Sequence, residues 1–271
     1  MTVPARIDPR DALNPLADTV SATSSLVGWL EIRYERTGRG APDGWTRCSD
    51  LLADPGRFTA WRGELADWLR ERHGGSTERA TAGYVLGWYL GAVGMLGGAL
   101  FHRARRVPSL RPEDLALRLA DDGRPDVVGV ALLAGGFACL PGDPAGNHPE
   151  ATVVADESAL AALLRARFAG HAAAFAAAYG PTTRLGGRAL WAAATDALDG
   201  SAWLAGLHGG DEAAGVADSA LLLPFPEAPY TSATTLRVVD GTWTRRRESC
   251  CFHFTLPGAQ ACDTCPRVCG K

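Results

Sequence analysis

The C-terminal stretch of the chain, residues 245–271, reads RRRESCCFHFTLPGAQACDTCPRVCGK and holds five of the seven cysteines. Cys250 and Cys251 are adjacent, ten residues separate Cys251 from Cys262, and two separate Cys262 from Cys265. A Cys-x2-Cys turn lets two thiolates converge on one metal centre, because the chain reverses between them. The spacing therefore predicts a metal site that organises the end of the chain.

The adjacent cysteines restrict the kind of metal centre. Neighbouring side chains of an extended chain point to opposite sides, so the pair reaches a shared centre only where the backbone bends sharply. A single tetrahedral zinc is more naturally bound by a second Cys-x2-Cys, whereas a two-iron cluster is a larger target. The spacing favours a 2Fe-2S cluster, with zinc as the alternative.

Disulfide bonds are a third interpretation of clustered cysteines. The first ten residues, MTVPARIDPR, contain no apolar segment of the kind that signal peptides carry. We therefore expect a reducing, cytoplasmic location in which thiolates stay available for metal. The net charge of −3 gives no indication of a nucleic-acid partner.

The run Cys250-Cys251-x10-Cys262-x2-Cys265 resembles the C-terminal pattern of the FhuF-like ferric siderophore reductases, which are bacterial iron–sulfur proteins. Upstream, RALW at residues 188–191 and DAL at residues 196–198 resemble a helix that this family carries before its cluster. The resemblance implies that these four cysteines bind a 2Fe-2S cluster and take part in catalysis. The family pattern does not require Cys269, and we predict that it is dispensable.

The resemblance also implies an activity, the one-electron reduction of siderophore-bound Fe(III) to Fe(II). Oxygen ligands hold the harder ferric ion far more tightly than ferrous iron, so reduction releases the metal. A hydroxamate siderophore is the expected substrate. The sequence contains neither a dinucleotide fingerprint nor a P-loop, so we expect a donor protein or a reduced flavin to supply the electrons. A non-catalytic binding or sensor module, organised by zinc or by an iron–sulfur cluster, is the alternative function.

The end of a predicted hairpin is the first candidate for a substrate surface. Residues 236–239 and 243–246 alternate as two strands around Asp240-Gly241, and Trp243, Arg245, Arg246 and Arg247 precede the cysteines. Positive charge beside the cluster can attract an anionic iron complex or an acidic electron donor. A solvated hairpin edge is the alternative interpretation.

A predicted helix over residues 187–207 is the second candidate for the substrate surface. Arg188, Trp191, Thr195 and Asp196 lie close to one face of this helix at three- to four-residue spacing. The alternative is an ordinary amphipathic helix with Trp191 buried and Arg188 solvated.

The rest of the chain predicts a predominantly helical α+β fold. Helical signals and a hairpin signal near residues 115–133 support this class. The helices are expected over residues 16–36, over residues 49–69 with a break at Pro55, from Asp156 to Gly180, and over residues 187–207. Prolines in residues 223–229 indicate a linker. We therefore expect a helical domain over residues 1–222, which offers the siderophore surface, and a cluster-bearing subdomain over residues 223–271.

Residues 83–101 are long and apolar enough to be a membrane-span candidate. Gly83, Gly87 and Gly91 recur every four residues, a pattern that permits close helix approach. However, the glycines lower the hydrophobicity, and helices buried on all sides occur in large domains. We interpret the segment as a buried helix, with peripheral contact at the inner face of the cell membrane.

Overall fold

The computed structural model describes residues 14–36 and 41–267, and it is 51% helical and 14% strand. The predicted class, α+β and predominantly helical, is confirmed. The helices are α1 (Pro15–Ser24), α2 (Cys48–Ala53), α3 (Pro55–His73), α4 (Glu78–Ala104), α5 (Glu157–Tyr179), α6 (Gly187–Gly209) and α7 (Glu212–Leu222). The strands are β1 (Glu31–Tyr34), β2 (Thr46–Arg47), β3 (Arg106–Pro108), β4 (Leu115–Leu119), β5 (Val127–Leu132), β6 (Phe137–Cys139), β7 (Ala151–Val153), β8 (Leu236–Val239) and β9 (Thr242–Arg245).

The strands form three small sheets with the orders β1-β5-β4-β2, β3-β6-β7 and β8-β9. The hairpin expected near residues 115–133 is the antiparallel pair β4–β5, in which Leu117 lies opposite Val130. The second predicted hairpin is β8–β9, with a turn at Asp240 and Gly241. Both turn residues have positive φ values, 49° and 78°, as two-residue hairpin turns require.

The expected helix over residues 16–36 is wrong beyond Ser24. Asn14 caps α1 by accepting a hydrogen bond from the backbone N–H of Leu16, and the helix ends ten residues later. The chain then enters β1, which pairs in parallel with β5 and places Ile32 opposite Val130. The partner strand lies almost a hundred residues downstream, so no local sequence pattern predicts this pairing.

Helix α4 contains the apolar segment and lies in the core of the fold. Its most apolar window has a mean hydropathy of 1.5, and 78% of that window is buried inside the protein. By length and composition alone it could cross a membrane. A Cβ added at Gly94 would lie 2.9 Å from the carbonyl oxygen of Ala197, so glycine allows α4 and α6 to pack closely. The predicted buried helix is therefore observed as part of the core.

The proline-rich segment leads from α7 to the β8–β9 hairpin and contacts the helices on its way. The hydroxyl of Tyr230 donates to the carbonyl of Arg165 at 2.7 Å. The hydroxyl of Thr235 donates to Asp199 Oδ2 at 2.8 Å, so the segment is attached to both α5 and α6. The proposed division between residues 222 and 223 stays a prediction.

Candidate functional site

The cysteine-bearing segment bends at both places where its spacing requires a bend. After the adjacent pair, Phe252 adopts a left-handed conformation with φ 58°, and its backbone N–H lies 3.4 Å from Cys250 Sγ. In the Cys-x2-Cys turn, the N–H of Cys265 donates to the carbonyl of Cys262 at 3.0 Å. Cys269 lies outside the described residues.

Each of the four thiols lies within electrostatic range of two of the others, but they lie on two sides of the segment. Cys251 and Cys262 line one cavity, Cys250 lines another, and Cys265 is buried. Burial raises the pKa of the Cys250 thiol, and the nearby thiols of Cys265 and Cys251 raise it further. Burial also raises the pKa of Cys262, with Cys251 as the next cause. A bound metal would displace these protons, since thiolates are the ligands.

This donor set fits a two-iron cluster. Four thiols carried by a doubly bent chain are the ligands that 2Fe-2S clusters use, two sulfurs to each iron. The opposite orientations of Cys250 and Cys251 suit two separate irons. Within residues 14–36 and 41–267, no three His, Cys, Asp or Glu side chains are arranged to hold a single metal ion.

Asp196 on α6 holds the residues that precede the cysteine pair. Its carboxylate accepts hydrogen bonds from the backbone N–H groups of Glu248 at 2.7 Å and Ser249 at 2.8 Å. The Ser249 hydroxyl donates to the same carboxylate, and Arg247 Nε lies 3.5 Å from it. Asp196 is only 5% exposed, and these donors from the cysteine segment compensate its buried charge.

A cavity of about 410 Å³ lies between α4, α6 and the cysteine segment. Its wall contains Cys251 and Cys262 together with Asp196, Arg245 and Arg247. Two cluster-ligand candidates and two cations therefore face the same space. We call it the first cavity.

Glycines of α4 shape the floor of the first cavity. A Cβ added at Gly83 would lie 2.9 Å from the carbonyl oxygen of Cys251, so the cysteine segment rests directly on the helix there. Nothing lies within 4 Å of a Cβ added at Gly87 or Gly91, although both line the cavity. Because glycine has no side chain, these two residues leave the space open.

Side chains alternate in direction along β9 and the residues that follow it, so the three predicted arginines do not all face the same space. Arg245 and Arg247 face the first cavity, whereas Arg246 points away and pairs with Glu248 at 3.3 Å. Burial lowers the pKa of Arg245, although Asp196 acts in the opposite direction. Burial alone would lower the pKa of Arg247, but Asp196 and the thiols of Cys251 and Cys262 raise it above its usual range.

The other predicted substrate residues lie elsewhere. Trp243 sits opposite Val238 in the hairpin and does not line the first cavity. Trp191 packs edge-on against Tyr230, with ring centroids 6.3 Å apart, and is also absent from the cavity wall. Arg188 lines a second cavity, on the Cys250 side of the segment.

Three aromatic side chains in the wall of the first cavity were not among the predicted site residues. Tyr84 and Trp88 extend from α4, and the hydroxyl of Tyr84 lies 2.6 Å from His253 Nδ1. Burial raises the pKa of Tyr84, and the nearby Cys251 raises it further. The available signal was helical spacing, since Tyr84 and Trp88 lie one turn apart on the face that carries Gly87 and Gly91.

Comparisons with known protein families agree with this site. Residues 85–240, more than half of the chain, match the model described as ferric iron reductase FhuF-like transporter. Residues 247–267, which include the four cysteines, match the FhuF 2Fe-2S C-terminal domain, and the predicted cofactor is confirmed as a 2Fe-2S cluster. No curated protein and no solved structure matches the chain. The chain belongs to the FhuF-like ferric iron reductase family and carries its 2Fe-2S C-terminal domain.

Proposed function

We propose that this chain reduces siderophore-bound Fe(III) to Fe(II) by one electron, with the ferric chelate seated in the first cavity. Membership of a ferric iron reductase family supports the general activity. The observation that carries the finer proposal is the position of Cys251 and Cys262 in the cavity wall. A chelate in this cavity lies next to two of the four cysteines.

The residues of the chain bind and orient the substrate. When held by Cys250, Cys251, Cys262 and Cys265, the 2Fe-2S cluster supplies one electron at a time. Arg245 and Arg247 keep positive charge in the wall, which favours the oxygen-rich, electron-dense side of a ferric chelate. The ferric ion gains one electron and becomes ferrous, and its oxygen ligands then hold it weakly enough for release.

The charges of the first cavity favour a hydroxamate chelate. The carboxylate of Asp196 offsets one of the two arginine charges, and the thiolates of Cys251 and Cys262 add negative charge to the same wall, so a strongly anionic chelate is disfavoured. Tyr84 and Trp88 add aromatic surface. A ferric trihydroxamate core carries no net charge and suits such walls, whereas a ferric tricatecholate core carries three negative charges and needs more cations.

A donor protein or a reduced flavin supplies the electrons. The helical domain over residues 1–222 provides most of the substrate surface, and residues 223–271 present the cluster. The protein works in the cytoplasm, with peripheral contact at the inner face of the cell membrane.

An anaerobic electron-transfer experiment tests the proposed function. Protein reduced with dithionite is freed of reductant and mixed with a ferric trihydroxamate and a ferrous-specific chelator. We expect the cluster to reoxidise while ferrous iron appears, one iron for each electron lost. If neither occurs with hydroxamate, catecholate or citrate complexes, and the cluster is intact, the non-catalytic binding or sensor module becomes the better interpretation.

A further inference from the structure

The second cavity lies across the adjacent cysteine pair from the first. It has a volume of about 400 Å³ and is lined by Cys250, whereas Cys251 lines the first cavity. Much of its wall is apolar, with Leu86, Leu185 and Phe252 among the lining residues. One cluster-bearing segment thus separates two cavities, and each cavity reaches a different cysteine of the pair.

Two arginines give the second cavity a positive charge. Arg188, in the first turn of α6, and Arg267, beyond the Cys-x2-Cys turn, both line it and are both exposed. Across residues 14–36 and 41–267, neither arginine forms an ion pair with an acidic side chain. The one acidic residue of the wall, Glu248, is paired with Arg246 at 3.3 Å. The cavity therefore combines an apolar wall with two cationic groups, of which Arg267 also lies over the Phe254 ring, 4.8 Å from its centroid, and hydrogen-bonds the Cys250 thiol.

This combination matches a flat apolar ring that carries an anionic group. A volume near 400 Å³ is in the usual range for small-molecule sites, whereas a protein donor would need a far larger contact surface. A nicotinamide delivers two electrons together as a hydride, while a 2Fe-2S centre accepts one. A reduced flavin is a small molecule of suitable size, and it releases its two electrons one at a time.

We propose that the second cavity binds reduced flavin mononucleotide as the electron donor, with the ring against the apolar wall near Cys250 and the phosphate toward Arg188 and Arg267. This inference rests on the proposed ferric reduction in the first cavity. One anionic reduced flavin loses two electrons and one proton and leaves oxidised. The proton goes to solvent, and two Fe(III) ions become two Fe(II) ions in successive turnovers.

Flavin binding is measured first, independently of any activity. Oxidised flavin mononucleotide is titrated into cluster-loaded protein by calorimetry, and riboflavin, which lacks the phosphate, is titrated alongside. We expect Arg188→Glu to weaken mononucleotide binding about ten-fold, as loss of a charge-assisted hydrogen bond does. We expect Ala189→Trp, which fills the cavity, to abolish binding of both flavins.

Two control variants separate this site from its surroundings. Arg184→Glu makes the same charge change at a highly exposed position outside both cavities, and the affinity should not change. Gly87→Leu narrows the first cavity and should also leave flavin affinity unchanged. Loss of flavin binding in Gly87→Leu but not in Ala189→Trp would place the flavin in the first cavity and overturn the proposal.

The final measurement separates failure of this inference from failure of the proposed function. Cluster reduction by reduced flavin mononucleotide, followed by absorbance, should slow in Arg188→Glu and Ala189→Trp, while dithionite-driven ferric reduction stays normal. If the flavin does not bind, or if the variants have no effect, the inference fails even when dithionite-reduced protein still releases Fe(II). If the flavin binds and reduces the cluster but no chelate is reduced, the flavin site stands and the proposed function fails.

Discussion

Asp196 and Ser249 are 53 residues apart in the sequence, yet the backbone N–H of Ser249 donates to Asp196 Oδ2 at 2.8 Å. The Ser249 hydroxyl donates to the same oxygen. Because Cys250 follows immediately, one carboxylate on α6 sets the position at which the cysteine pair begins. The cluster segment is therefore positioned by the helical part of the fold as well as by its own thiols.

Substitution Asp196→Asn tests this positioning. The amide keeps the size of the side chain but replaces one acceptor oxygen with an NH2 group that faces N–H donors. We expect the free energy of unfolding to fall by about 1–3 kcal/mol and the cluster to be lost faster. Urea unfolding and the decay of cluster absorbance measure both effects. Asp156→Asn, at the N-cap of α5 where Asn caps equally well, should change neither.

A matched pair of alanine substitutions tests the contact between α4 and the cysteine segment. In Gly83→Ala the new methyl group would lie 2.9 Å from the Cys251 carbonyl oxygen, so the segment must shift. We expect a loss of about 1–3 kcal/mol in unfolding free energy and a lower iron content. Gly87→Ala meets no atom within 4 Å and should stabilise the helix by about 0.5–1 kcal/mol. Equal effects of the two changes would contradict the close contact.

Single serine substitutions test the ligand assignment. We expect Cys250→Ser, Cys251→Ser, Cys262→Ser and Cys265→Ser each to lose the 2Fe-2S absorbance, and Cys269→Ser to keep it. Iron and acid-labile sulfide are assayed in all five proteins after anaerobic purification. A Cys269→Ser protein without cluster, beside a loaded Cys265→Ser protein, would move the fourth ligand to Cys269.

Closing the first cavity should block the chelate and spare the cluster. Leucine at residue 87 fills open space on a well-formed helix, where it is a better helix former than glycine. We expect reduction of ferric trihydroxamate by Gly87→Leu to slow at least about ten-fold, because the chelate can no longer lie beside Cys251. Gly63→Leu, at an open position on α3, is the control and should react at the normal rate. Unaltered rates in both variants would place the chelate elsewhere.

A buried histidine predicts how stability depends on pH. His171 is 1% exposed, and burial lowers its pKa from 6.5 to about 4. The neutral ring donates from Nδ1 to the Leu110 carbonyl at 2.7 Å and accepts at Nε2 from the Tyr89 hydroxyl at 2.9 Å. Between pH 6.5 and pH 4 the unfolded chain binds more protons than the native protein, so stability falls as the pH falls. The contribution of this group to the loss is about 3 kcal/mol.

The variant His171→Gln isolates that contribution. Its unfolding free energy should fall less between pH 7 and pH 4.5 than that of the unaltered chain, although it is lower at pH 7. Acid loss of the cluster affects both proteins and cancels in the comparison. Parallel pH profiles would show that His171 does not carry the effect.

Local patterns in the sequence predicted most of the helices and both hairpins. Pro55, predicted as a break, and Asp156, where a helix was expected to begin, are signals that act within one turn, and α3 and α5 begin at these positions. The β8–β9 hairpin follows from alternation around Asp240-Gly241. Alternation along the strand also predicts that Arg246 faces the opposite side from the cavity-facing Arg245 and Arg247.

Local patterns could not predict contacts between residues that are distant in the sequence. Strand β1 pairs with β5, whereas the local pattern over residues 25–36 had indicated a helix. The hydrogen bond from Ser249 to Asp196 forms only where α6 packs against the cysteine segment, and that packing joins residues far apart in the sequence. Tyr84 and Trp88 lie in an apolar run that is typical of a core helix. Only the packed helices show which face of that helix stays open.

The cysteine segment rests on α4 at two places. Thr77, the N-cap of α4, meets Thr255 with hydroxyl oxygens 2.8 Å apart, and the carbonyl oxygen of Cys251 lies over Gly83. These contacts exist only after α4 is formed and buried. The cysteine segment therefore finds its position only on a folded α4, which ties the placement of the four thiols to the stability of that helix.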